Sequence, residues 1–300
     1  MTPAADASGG ATTAAATSYL DRLAARSAAT RTVLCLGIDP DPAALPHPFD
    51  PDVAGVERFA RLLVDAAAPH AAAVKPNLAF FEAFGSAGLA ALERVRAAIP
   101  ADVPVVIDAK RGDIGTTAAR QAVALYDVLG ADAITVSPYL GEEAIAPLLE
   151  RKDRLAYVLC RTSNPGAPEL QSLVVDDGDG PPEPLYLRVA RRASSWGPGG
   201  TVGLVVGATA PAELAEIRQV APGLPFLVPG VGAQGGEIAP VLADGPAREA
   251  PGGRGAGGGL LVNVTRGIAA AAAGLTSERE VAEALRKAAA EWAERLPVLP

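Results

Sequence analysis

The chain predicts an α/β fold, a (β/α)8 barrel of the TIM type, and three observations carry that prediction. Eight short apolar runs recur along 300 residues, at Val33–Ile38, Ala71–Val74, Val105–Ile107, Ala133–Val136, Ala156–Leu159, Val202–Val206, Phe226–Val228 and Leu260–Val264. Helix-like segments lie between most of them. Each run then ends in polar or glycine-rich sequence. Continuously apolar strands alternating with helices imply a parallel sheet covered on both faces, and eight repeats favour a closed barrel over an open doubly wound sheet. The length suits one large domain of this kind.

Residues 1–16 are mostly Ala, Thr, Gly and Ser, with too little apolar surface to offset the entropy of ordering, so a disordered tail is expected there and the barrel over 17–300. Ser18–Arg31 places Tyr19, Leu20, Leu23 and Ala24 on one helical face, a helix expected to close the barrel bottom. The segment 168–200 is longer than an ordinary connection and reads as an exposed insertion followed by a helix over Leu185–Trp196. Its DDGDG string lacks the terminal glutamate of an EF-hand calcium loop and is expected to be a solvated turn. A Gly/Pro/Ala-rich stretch, Asp244–Gly259, is expected to be loosely ordered.

A hydrophobic content of 49% fills a core, whereas aromatics at 4% leave the packing to Ala, Val and Leu. A net charge of −8 argues against a nucleic-acid or anionic-membrane binder, so an anionic substrate requires a locally positive pocket. Cys35 and Cys160 fall inside apolar runs, as buried reduced thiols do, and His47 and His70 sit beside prolines in structural positions. The N-terminal residues show no basic segment followed by an apolar one and no apolar run reaches 18 residues, so a soluble cytoplasmic protein is expected.

Chemistry collects at the C-terminal strand ends of such barrels, and there the distinctive strings fall: GIDPDP, KPNLAFF, DAKRGDIG, SPYLG, RTSNPGA, PGVGAQGG and TRG. Within DAKRGDIG, Asp108 and Lys110 stand two apart on an extended strand and project together, with Asp113 following. A buried ion pair tying down a loop is the structural alternative. Only four of the 26 basic residues are lysines, and Lys75 and Lys110 each end an apolar run. Lysine can deliver a proton where arginine cannot. In the last two strand–helix loops, Gln234 and Arg266 are the candidate phosphate contacts, since glycine admits backbone N–H groups to a phosphate and arginine binds it bidentately.

DAKRGDI resembles the Asp-x-Lys-x-x-Asp motif of the orotidine 5′-phosphate decarboxylase family, in its bacterial subgroup with longer loops. The resemblance implies conversion of orotidine 5′-phosphate to UMP, the last step of de novo pyrimidine nucleotide biosynthesis, without metal or organic cofactor. It also implies an alternating Lys75–Asp108–Lys110–Asp113 array in which Lys110 stabilises the carbanion and then protonates it. By the same resemblance Asp39 holds ribose hydroxyls and Ser163 contacts the pyrimidine. Asp113, Ile114 and Thr117 reach into a neighbouring subunit, so a homodimer with shared sites is implied. Two other readings stand beside it. One is a Mg²⁺-dependent sugar-phosphate decarboxylase or aldolase, which would place an acidic ligand where this chain has Lys75; the other is a barrel that binds a nucleotide without turning it over.

Overall fold

The computed structural model describes residues 17–299 apart from 177, 179 and 233. The tail expected over 1–16 lies outside the described residues. The strands, in chain order, are β1 (Leu34–Ile38), β2 (Ala73–Pro76), β3 (Val106–Arg111), β4 (Ala133–Val136), β5 (Leu155–Arg161), β6 (Val174–Val175), β7 (Glu183–Pro184), β8 (Val202–Val206), β9 (Phe226–Val228) and β10 (Leu261–Val264). β6 and β7 pair only with each other, as a short antiparallel hairpin inside the 168–200 insertion. The other eight form one parallel sheet in the order β2-β1-β10-β9-β8-β5-β4-β3. Bridges from Val74 to Val105 and from Asn77 to Asp108 bring β2 against β3, so the ring closes as the alternation predicts.

Period two along these strands divides the apolar side chains into two clusters. Cys35, Ala73, Val106, Ala133, Tyr157, Val205, Leu227 and Leu261 point inward and fill the lower barrel. Leu34, Leu36, Val74, Ile107, Ile134, Val158 and Val262 point outward beneath the helices. The inner plug is completed from below by helix Tyr19–Thr30, whose Tyr19 and Leu23 pack into it. Ser18 and Asp21 form a capping box at its start. The Tyr19 and Tyr157 hydroxyls meet at 3.1 Å, satisfying both in the apolar interior. Arg22 pairs with Asp132 at 2.8 Å, and Arg26 donates to the Ala71 and Ala68 carbonyls, fastening the helix to the loops that enter the barrel.

Two expectations need adjustment. The helix of the insertion spans Leu185–Ala193 and stops short of Trp196. The stretch Asp244–Gly259 is built into the fold as two 3-10 turns, Gly252–Arg254 and Ala256–Gly259. Its anchor is Arg218, a fully buried guanidinium that donates to the carbonyls of Ala221, Pro222, Leu224, Asp244 and Gly245 and lies 3.5 Å above the Phe226 ring. A buried arginine is tolerable only when its donors are met, and here backbone carbonyls meet them.

Candidate active site

The inward positions that follow the apolar plug carry the polar residues. One step of two beyond Ala73 is Lys75, beyond Val106 is Asp108, and beyond Ala133 is Thr135. Beyond Leu261 come Asn263 and Thr265, and two steps past Cys35 comes Asp39. All of these line one cavity of ≈ 530 Å3 at the C-terminal end of the barrel, together with Lys110, Ser163, Gln234 and Arg266. Seven of the ten sequence-predicted residues therefore meet in one place: Asp39, Lys75, Asp108, Lys110, Ser163, Gln234 and Arg266.

On the cavity floor Asp108 is held from three sides. Lys75 Nζ donates to its Oδ2 at 2.8 Å, Lys110 Nζ to its Oδ1 at 2.6 Å, and the Thr135 hydroxyl to Oδ1 at 2.9 Å. Burial pushes the Asp108 carboxyl up, but the charges and hydrogen bonds of Lys75 and Lys110 outweigh it and hold the group well below the usual carboxylate range. Burial pulls Lys75 down, and the carboxylates of Asp108 and Asp39 reverse that, leaving it above an ordinary lysine. The Lys75 side chain is 5% exposed and that of Lys110 is 53% exposed, so only the second reaches into open space.

Asp108 and Lys110 converge as expected, but the geometry differs from that of an extended strand. β3 is irregular between Ile107 and Arg111, and Lys110 adopts φ 49°, in the left-handed region. The bulge re-aims the side chain, as bulges beside sites do.

Asp39 Oδ1 and Asn263 Oδ1 are buried without a hydrogen-bond partner among the described residues, two acceptors suited to hydroxyl donors. Gly37 makes room for this corner: a Cβ there would stand 1.8 Å from Thr265 Oγ1. Across the cavity Ser163 Oγ donates to Gln234 Oε1 at 3.0 Å, joining the loops after β5 and β9. Trp292 of the C-terminal helix Glu278–Arg295 donates its indole N–H to the Gly267 carbonyl at 3.1 Å, supporting the turn that carries Arg266.

Asp113, Ile114 and Thr117 do not line the cavity. Asp113 Oδ1 accepts from the Ile114 N–H at 2.8 Å, and Ile114 is 62% exposed at the start of helix Gly115–Ala122. Within one chain the charged array is thus Lys75–Asp108–Lys110. Thr135 and Asn263 are site residues that the motifs do not mark, although a polar residue inside the apolar runs AITV and LLVNV is the available signal; Thr265 opens the TRG string. Both cysteines are buried and free, and burial pushes the Cys35 thiol up to about 12. Neither histidine lines the cavity.

Residues 32–283 match the family described as orotidine 5′-phosphate decarboxylase / HUMPS. The chain belongs to this family. The orotidine 5′-phosphate decarboxylase of Herpetosiphon aurantiacus is 46% identical over 272 residues, 90% of this chain and 95% of that protein. That of Thermomicrobium roseum is 46% identical over 253 residues, 84% of this chain and 86% of the relative. The structure of Leishmania donovani OMP decarboxylase superposes with a TM-score of 0.76 at 40% identity, covering 93% of this chain and 96% of the other. The sugar-phosphate and binding-only alternatives gain no support. Where the first calls for an acidic ligand the chain carries Lys75.

Proposed function

We propose that this protein decarboxylates orotidine 5′-phosphate to UMP with its own side chains. The observation that carries the reading is the Lys75–Asp108–Lys110 array on the cavity floor, with both Asp108 oxygens engaged. The C6–carboxylate bond breaks, CO2 departs, and the electron pair remains at C6. A cation beside C6 stabilises that pair, and Lys110 then gives it a proton from Nζ. The exposed side of Lys110 lets solvent restore the proton. Asp108, kept charged by its partners, stands beside the substrate carboxylate and is relieved of that repulsion when CO2 leaves.

Asp39 and Asn263 supply acceptors for ribose hydroxyls, Ser163 faces the pyrimidine, and Gln234 with Arg266 binds the phosphate. Phosphate binding far from C6 draws the loops after β5 and β9 together and supports the reacting centre. The outward placement of Asp113, Ile114 and Thr117 supports a homodimer in which each chain lends these residues to its partner's cavity. The proposed compartment is the cytoplasm, in keeping with two buried reduced thiols and with no described helix long and apolar enough to cross a membrane.

The test is the ultraviolet absorbance change of orotidine 5′-phosphate with EDTA-treated protein. Conversion by the wild type and its loss in Lys110→Ala are expected. Full turnover by Lys110→Ala removes Lys110 from the chemistry, and activity that requires added Mg²⁺ returns the question to sugar phosphates.

A further inference from the structure

The geometry points to Thr135 as a positioning residue for this decarboxylation: its hydroxyl closes the β3 bulge and so aims the Lys110 ammonium into the cavity. The inference rests on the decarboxylase reading for its kinetic consequence, and on the bulge alone for its structural one.

The ladder between β3 and β4 pairs Ile107 with Ile134 and Arg111 with Val136. Asp108, Ala109 and Lys110 therefore stand opposite Thr135 alone. Such a bulge takes backbone N–H groups out of the ladder, and they need other acceptors. The Thr135 Oγ1 accepts from the Ala109 N–H and the Lys110 N–H, each at 3.0 Å, and donates to Asp108 Oδ1 at 2.9 Å. One hydroxyl offers one donor and two lone pairs, and all three are in use. Thr135 is 2% exposed, so water has little access to substitute for it.

Lys110 and Arg31 are the two non-glycine residues at positive φ among the described residues. Arg31 ends a helix, where the left-handed conformation is common. Lys110 lies within a strand, and a residue with a Cβ persists there only when its surroundings impose it. The Thr135 hydroxyl is that constraint, because it holds the Lys110 backbone from one side and its carboxylate partner from the other. Valine has the same shape and β-branching without the hydroxyl; serine keeps the hydroxyl.

Thr135→Val is expected to lower kcat roughly 100-fold, the scale of a misplacement of about 1 Å at a reacting group, with KM near the wild-type value because ribose and phosphate are bound from other strands. Thr135→Ser is expected to recover most of kcat. A crystal structure of Thr135→Val should show Lys110 out of the left-handed region or its Nζ detached from Asp108. Wild-type kcat in Thr135→Val, or an equal fall in Thr135→Ser, overturns the inference. An unchanged Lys110 geometry in the valine crystal overturns it too, and that measurement decides the matter even if the wild type proves inactive on orotidine 5′-phosphate, which would instead fail the proposed function.

Discussion

Lys75 and Asp108 form an ion pair across neighbouring strands, Nζ to Oδ2 at 2.8 Å, with only 5% and 13% of their side chains exposed. Removing Lys75 takes one of two cations from a largely buried carboxylate that keeps Lys110 and Thr135 as partners, which costs about 2 kcal/mol. Lys75→Met should therefore lower unfolding stability by about that amount and abolish turnover. In Lys75→Met/Asp108→Leu, stability should return while turnover does not. Urea denaturation and the absorbance assay on the same preparations separate the two effects.

The pair also sets a pH window. Asp108 is depressed in the folded state, so its contribution is present above the unfolded value of about 3.9 and is lost as pH falls through the folded one. Lys75 is raised, so its contribution is present below about 10.4 and is lost as pH rises through its folded value. The stability advantage of the wild type over Asp108→Asn should be flat from about pH 5 to pH 9 and shrink below about pH 4. An advantage that fades between neutrality and pH 5 would assign the effect to another group.

Ser163 and Gln234 join two loops across the cavity mouth through a single side-chain hydrogen bond. Ser163→Ala and Gln234→Ala should each raise KM, and the double variant should lose less than the sum. A coupling of about 1 kcal/mol in kcat/KM is expected from residues in direct contact. Strict additivity would mean that the loops act separately.

Arg218 fastens the start of the stretch Asp244–Gly259 to the turn before β9, donating to the Asp244 and Gly245 carbonyls and to those of Ala221 and Leu224. Arg218→Leu strands those buried acceptors and should destabilise the protein by about 3 kcal/mol. Limited proteolysis should find new cleavage within 244–259, while Arg218→Leu molecules that remain folded keep their turnover, since Arg218 does not line the cavity.

Much of the site was legible in the chain because the decisive strings close apolar runs: KPN at the end of β2, DAKRGD at β3, TSNPGA after β5 and TRG after β10. Which strand positions face inward was not. Strands buried on both faces show no polar alternation, so Thr135 and Asn263 look like interruptions of a run instead of members of a layer. The bulge at Lys110 was hidden for a related reason. It depends on a partner strand, and extended geometry alone already brings Asp108 and Lys110 to one side. Arg218 sits in AELAEIRQV, where a charge suggests solvent, and only the returning 244–259 backbone reveals what it holds.

Helix Tyr19–Thr30 seals the base of the barrel, and Thr32 bridges to Pro297, so both ends of the described chain leave from the side away from the cavity mouth. A bead, a sensor chip or a fused protein joined directly at the first or last described residues would accordingly stand clear of the entrance. Coupling through lysine amines carries the opposite hazard, because the exposed ammonium of Lys110 is itself within reach of the reagent.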